Sequence, residues 1–289
     1  MSQSVIPVFF SIDDAYAPYL AAALVSAMDH ADITRSYRAI VLHENLSKEH
    51  QTRLSALSRD NFVIDFIPMQ QELSCIDDVM GNRLRCDYFT LTIYYRLFIP
   101  VMFPEYDKGI YIDSDVIVSD DLAKLFDTDL QGNYIGACTD SSVQQVPPLV
   151  RYMEDAVGVE KSRYINSGVL LMDLKALRQK QLHKHFLHLF NTYHVDCIAP
   201  DQDYLNAICR DKIFYLPPRW DVMPNENTQE DTDLGIVHYN LFSKPWCYDG
   251  IQYADLFWKY AARCGYEQEI RTHKASYTDE KKAADTKCL

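Results

Sequence analysis

Three short apolar runs, residues 5–12, 37–42 and 61–68, alternate with two stretches of helical pattern, and this alternation constrains the fold more than any other feature of the chain. Runs of this length are too short for typical helices and suit strands buried on both faces. Pro18 opens the first helical stretch, which carries on to Met28. Ser47 is placed to cap the second, with Glu49 and His50 in its first turn and an end near Leu57. Strands separated by helix-length connections pair in parallel, so the expectation is an α/β fold with a mainly parallel, doubly wound sheet.

The rest of the chain extends that pattern. Residues 91–103 read as a buried helix interrupted at Pro100, residues 108–112 as a strand that 116–118 continue, and residues 134–138 and 164–172 as two more strands. Helices are expected over 174–193, 201–209 and 251–262, residues 69–90 show no regular pattern, and there is no internal repeat. Residues 1–265 then make one large domain and residues 266–289 a charged tail expected to fray.

Composition narrows function by exclusion. A formal charge of -13 disfavours nucleic acid and anionic membrane as general partners, and an anionic substrate would need a bound metal or a local basic cluster. The tail mixes Arg271, Lys274, Lys281, Lys282 and Lys287 with acids, which allows at most peripheral membrane contact. The first residues lack a signal-peptide pattern, and the longest apolar run, near residues 20–28, is far short of a membrane span. The eight cysteines contain no C-x-x-C pair and read as reduced thiols, so a cytoplasmic location is expected.

Several strands end in acids: Asp13-Asp14, Asp113-Ser114-Asp115 and Asp140. In an open α/β sheet, ligands bind beyond the carboxyl ends of the strands, so these acids should meet in one crevice. An i, i+2 spacing on extended chain turns both carboxylates of Asp113 and Asp115 to one face, a pair of hard oxygen donors suited to Mg²⁺ or Mn²⁺. The plain alternative is a solvated turn, but the apolar runs on both sides make two unpaired acids costly there. His238 ends another short apolar run; it is either a third ligand, which would favour Mn²⁺, or a structural histidine. Lys244, six residues on, is either a clamp for a diphosphate or a surface lysine. Arg96 lies within an otherwise apolar helix and needs an acidic partner, at a site or purely structural. Asn166 precedes a strongly apolar strand, and Asp201-Gln202-Asp203 opens a helix, where acids are ordinary capping chemistry. His183, His185, His188 and His194 read as a solvated helix face, since no acids converge on them.

Taken in order, these elements resemble family 8 of the retaining glycosyltransferases, over about residues 5 to 260. The residues that carry the resemblance are Phe10-Ser11-Ile12-Asp13-Asp14-Ala15-Tyr16, Tyr95-Arg96-Leu97, Tyr111-Ile112-Asp113-Ser114-Asp115, Gly136-Ala137-Cys138-Thr139-Asp140, Tyr164-Ile165-Asn166-Ser167-Gly168, Asp201-Gln202-Asp203 and His238-Tyr239 with Lys244-Pro245-Trp246. The resemblance implies a GT-A type nucleotide-sugar-binding fold, its mainly parallel central sheet flanked by helices. It implies a UDP-sugar donor, a glycan or lipid-linked saccharide acceptor, and Mn²⁺, or possible Mg²⁺, on Asp113, Asp115 and His238. Asp13, Asp14 and Tyr16 would hold the nucleoside. Arg96, Asp140, Asn166, Ser167, Gly168, Asp201 and Gln202 would surround the donor sugar, and Lys244 would grip the phosphates. The chain departs from the family pattern at Ala15, which removes one ribose contact, and over residues 240–243, where the family's glycine is replaced.

The implied reaction moves a hexose, glucose or galactose, to an acceptor hydroxyl with retention by a front-face route, with Gln202, Asp201 and Lys244 at the reacting centre, in cell-surface glycan or lipopolysaccharide synthesis. Two other readings compete. A haloacid-dehalogenase-type phosphohydrolase would use Asp113 as nucleophile, but its motif belongs on the first strand and here follows three strand units. A non-catalytic sugar-nucleotide-binding module would not need the full set of acids, histidine and lysine.

Overall fold

The computed structural model of the chain describes residues 5–69, 91–193, 197, 199–225 and 229–286. Its first part is the expected alternation: β1 (Ile6–Ile12), α1 (Ala17–His30), β2 (Tyr37–His43), α2 (Lys48–Ser55) and β3 (Phe62–Pro68). β1 pairs in parallel with β2, and β2 with β3. Ser47 caps α2 by accepting from the backbone N–H of His50. α3 (Tyr95–Met102) follows a 3-10 turn over Leu91–Tyr94. The expected interruption at Pro100 does not occur: the helix runs through it to Met102, and Phe103 N–H still reaches the Ile99 carbonyl. A proline this near a helix end removes a single backbone bond.

β4 (Lys108–Ile112) lies parallel to β1, but β5 (Val116–Val118) does not continue it. The chain turns at Asp113–Asp115, and β5 leaves the main sheet to pair antiparallel with β9 (Ile236–His238). α4 (Leu122–Phe126), β6 (Ile135–Thr139) and α5 (Pro147–Tyr152) lead to β7 (Ile165–Asp173), which runs antiparallel to both β4 and β6. β8 (Ile213–Tyr215) closes the edge, parallel to β6, so the seven-stranded sheet has the order β3-β2-β1-β4-β7-β6-β8 and is mainly parallel.

The single helix expected over 174–193 is two, α6 (Leu174–Gln179) and α7 (Leu182–Tyr193), because Gln181 between them takes a left-handed backbone with φ 54°. On α7, His185 and His188 are exposed, as a solvated face requires; His194 lies outside the described residues. α8 (Pro200–Cys209) and α9 (Ala254–Ala261) follow the expected pattern. The last segment does not fray: α10 (Glu267–Ser276) and α11 (Asp279–Thr286) fold back on the domain. Buried Ile270 anchors α10, and the Lys274 ammonium donates to the carbonyls of Pro245 and Tyr248. Five described cysteines, Cys138, Cys197, Cys209, Cys247 and Cys264, are unbridged and buried; Cys75, Cys86 and Cys288 lie outside the described residues.

Strand residues alternate between two apolar layers. Val8, Phe10, Ile110 and Leu171 pack with α1 and α9, while Phe9, Tyr111, Leu170 and Met172 pack with α3, α6, α7 and α8. Phe186 of α7 anchors the second layer, with ring centroids 5.2 Å from Tyr94, 5.4 Å from Phe190 and 5.0 Å from Tyr204. Phe186→Ala is expected to cost about 3–5 kcal/mol of stability in urea unfolding, and a loss below about 1 kcal/mol would contradict this packing.

Candidate metal and substrate site

Backbone pairing assembles the polar centre. Asp113 follows β4 directly, in the middle of the sheet, where its N–H donates to Gly168 O of antiparallel β7 at 2.8 Å. The β5–β9 register sets Val116 opposite His238, and Tyr239 N–H donates to Asp115 O at 2.9 Å. His238 Nε2 is thereby placed 3.4 Å from Asp115 Oδ1 and 3.9 Å from Asp113 Oδ2. One donor atom from each of the three residues lies within 4.8 Å of the others, the one such grouping of three among the described residues.

Three features show that this trio fits a divalent cation. The first is donor chemistry: two carboxylates and an imidazole are the set that Mn²⁺ accepts readily. The second is space. A Cβ on Gly168 would stand 2.2 Å from His238 Cε1 and 2.9 Å from Asp113 Oδ2, so only glycine lets these ligands close on one point. The third is orientation: His238 Nδ1 bonds Asp221 Oδ1 at 2.9 Å, which turns Nε2 toward Asp113 and Asp115. Asp221 is fully buried, and its Oδ2 has no partner. Sequence reasoning missed it; its one signal is an acid set between Trp220 and Val222-Met223.

The charges are strongly coupled. Burial opposes a charged His238, but Asp221 and Asp115 outweigh it and hold the imidazole pKa well above its usual value. Burial likewise works against ionised Asp115, and Lys244 with His238 outweighs it, so that carboxyl stays far below the usual range. Lys244 Nζ stands 2.5 Å from Asp115 Oδ2 and 2.8 Å from Tyr239 O.

A layer of polar side chains continues from Asp113. Arg96 is buried and satisfied from several sides: Nη2 donates to Asp113 Oδ1 at 2.8 Å, Nη1 to Ser167 O at 2.6 Å, and Nε lies 3.1 Å from Asp201 Oδ2. Its acidic partners are therefore Asp113 and Asp201 together, and the guanidinium also lies over the Tyr111 ring. Ser167 Oγ donates to Asp201 Oδ2 at 2.8 Å. Gln202 is held at both ends of its amide: Oε1 accepts from Ser167 N–H, and Nε2 donates to Asp140 Oδ2, each at 3.0 Å. Asp140 also accepts from Asn166 Nδ2 at 3.0 Å and from Ser142. Asp203 turns away, to the hydroxyls of Tyr152 and Tyr164.

One cavity of about 780 Å³ joins these groups. Asp113, Asp115, Asp140, Asn166, Ser167, Gln202, His238, Lys244 and Tyr16 all line it. Arg96, Asp201 and Gly168 do not line it. Asp13 Oδ1 caps the Tyr16 N–H at 3.1 Å, and exposed Asp14 accepts from Ser47 N–H at 2.7 Å; neither lines the cavity. The C-terminal helices, read from sequence as a tail, close its far end with Ile270, His273, Tyr277 and Asp285.

A mainly parallel sheet with an acid pair beyond β4 and a metal-fitted trio is the GT-A glycosyltransferase arrangement. The sequence profile of glycosyl transferase family 8 matches residues 7–250, and the chain belongs to that family. It is 24% identical to general stress protein A of Bacillus subtilis over 254 residues, which cover 81% of this chain and 85% of that protein. It is 23% identical to the lipopolysaccharide 1,2-glucosyltransferase of Escherichia coli over 183 residues, covering 57% of this chain and 53% of that one. Among solved structures, the galactosyltransferase LgtC, captured with donor and acceptor sugar analogs, superposes with a TM-score of 0.74 at 26% identity, covering 89% of this chain and 96% of that one. The bifunctional glycosyltransferase WbbM shares the fold with a TM-score of 0.79 at 23% identity over 94% of this chain, which spans 52% of WbbM. The chain likewise spans 64% of a Haemophilus influenzae relative to which it is 26% identical over 220 residues, 76% of this chain.

Asp221→Asn is expected to weaken Mn²⁺ binding by about 10–100-fold, measured by titration of the free-ion electron paramagnetic resonance signal. Binding must also release the His238 proton, so affinity should fall as pH drops through the raised imidazole pKa. Unchanged affinity in Asp221→Asn, or affinity independent of pH, would contradict this arrangement.

Proposed function

We propose that the protein transfers a hexose, glucose or galactose, from a UDP-sugar to an acceptor hydroxyl with retention of configuration. The observation that carries this reading is that Asp113, Asp115 and His238 converge in one cavity that Lys244 and Gln202 also line. The names of two relatives, a lipopolysaccharide glucosyltransferase and a galactosyltransferase, support the hexose.

Asp113, Asp115 and His238 would hold Mn²⁺, with Mg²⁺ a possible substitute. Bound there, the ion supplies positive charge to the diphosphate as the glycosidic bond breaks. Lys244, already in the cavity beside Asp115, would offer its ammonium to the same phosphates as a point charge. Tyr16 offers a ring face for the base, with Asp13 and Asp14 shaping the turn that carries it. Asp140, Asn166 and Gln202 present amide and carboxylate atoms to the sugar hydroxyls, and Arg96 and Asp201 keep Ser167 and Gln202 in place.

The hydrogen bonding favours a front-face route. Both oxygens of Asp140 are engaged, by Asn166, Gln202 and Ser142, and Asp201 does not line the cavity, so neither is well placed as a nucleophile. Gln202 remains as a neutral amide beside the anomeric carbon, and the leaving phosphate accepts the acceptor's proton. Asp113 is held at Oδ1 by Arg96 and Tyr111, and its Oδ2 stands 3.9 Å from His238 Nε2, an arrangement that suits a metal ligand better than a phosphohydrolase nucleophile. The setting we favour is cytoplasmic synthesis of a cell-surface glycan or lipopolysaccharide. No helix among the described residues is long and apolar enough to cross a membrane.

Asp113→Ala or Asp115→Ala is expected to lower UDP release from UDP-glucose and UDP-galactose by about a thousandfold, the scale of one lost electrostatic stabiliser, with a far-UV circular dichroism spectrum like that of the unchanged protein. Undiminished UDP release in the presence of chelator would sink the metal assignment.

A further inference from the structure

The turn that follows Lys244 is held by the two C-terminal helices. The Lys244 carbonyl opens this turn by accepting from the N–H groups of Cys247 and Tyr248, each at 2.9 Å. Lys274 of α10 spans it: Nζ donates to Pro245 O at 2.8 Å and to Tyr248 O at 2.9 Å, and pairs with Asp249 Oδ1 at 2.9 Å. An ammonium has three N–H donors, so Lys274 spends all of them on one short stretch of chain. α11 adds a second hold, since Asp285 Oδ2 accepts from the hydroxyls of both Tyr248 and Tyr277. A third runs through the core: Trp246 stacks on Tyr19 with ring centroids 4.3 Å apart, and the Tyr19 hydroxyl bonds His273 of α10. Both helices lie beyond residue 250, where the match to the family profile ends.

The Lys244 ammonium itself rests on Asp115 and on the Tyr239 carbonyl. If Asp115 holds a metal ion and Lys244 meets a diphosphate, the ammonium has to give up its hold on that carboxylate. What then keeps the residue at the cavity is its backbone, and the backbone is fixed by the turn. The charge sits on a flexible four-carbon stem, so a base that also drifted would lose the phosphate contact to entropy.

We propose that Lys274 and Asp285 are positioning residues that set Lys244 for the diphosphate. This rests on the glycosyl-transfer reading above and adds to it two residues from outside the matched profile. The test is isothermal titration of the whole protein with UDP in excess Mn²⁺, arranged as a double-mutant cycle. Lys244→Met is expected to weaken UDP binding by about 10–100-fold, the scale of one charged hydrogen bond. Lys274→Met and Asp285→Ala should each weaken it by about fivefold or more, and Asp285→Asn, which can still accept from both tyrosines, should bind as the unchanged protein does. Added to Lys244→Met, either Lys274→Met or Asp285→Ala should cost less than about twofold more, because the residue they act through is gone. General damage to the fold would instead add its full cost in that background. The proposal is overturned by undiminished UDP binding in both Lys274→Met and Asp285→Ala, by losses as large in the Lys244→Met background as outside it, or by a Lys244→Met variant that binds UDP normally. Failure of the unchanged protein to bind UDP with Mn²⁺ would sink the donor assignment, and this role with it.

Discussion

The centre of this molecule depends on the antiparallel pairing of two three-residue strands. With Val116 opposite His238, the β5–β9 ladder brings an imidazole from late in the chain against the acid pair that follows β4. The polar arrangement follows from that register. Asp221 aligns the ring, Tyr239 N–H locks onto Asp115, and Lys244 returns to the same carboxylate at the end of the loop. A one-residue slip would turn His238 to the opposite face and leave the half-buried acid pair without it.

The second constraint is close approach. β7 runs against β4, and Gly168 lies on it where Asp113 and His238 converge. Around that contact the buried charges balance one another. Arg96 serves Asp113 and Asp201, Lys244 serves Asp115, and His238 lies between Asp115 and Asp221. Removing one member of such a network leaves another buried and uncompensated, which couples the site's chemistry to the stability of the sheet beneath it.

Much of this was legible in the sequence, for physical reasons. The alternation of apolar runs and helical segments reports a parallel sheet directly, and the acids at strand ends report a crevice. The turn of β5 out of the main sheet was not legible, because a three-residue apolar run looks the same whether it continues one strand or starts another. Gln181 gave no warning of its left-handed backbone. Charge in residues 266–286 disguised two helices whose buried contacts come from single residues such as Ile270. Asp221 was invisible for a different reason: its role exists only in relation to His238, across a gap in sequence that no local pattern spans.

The function of the Asp113, Asp115 and His238 trio turns on where a divalent ion goes when the donor nucleotide is present. A crystal grown with UDP and Mn²⁺ and measured at the manganese absorption edge reads this directly. An anomalous peak is expected within about 2.0–2.3 Å of Asp113, Asp115 and His238 Nε2, with the diphosphate against it. Bound UDP with no peak there, or a peak ligated by other residues, would contradict it.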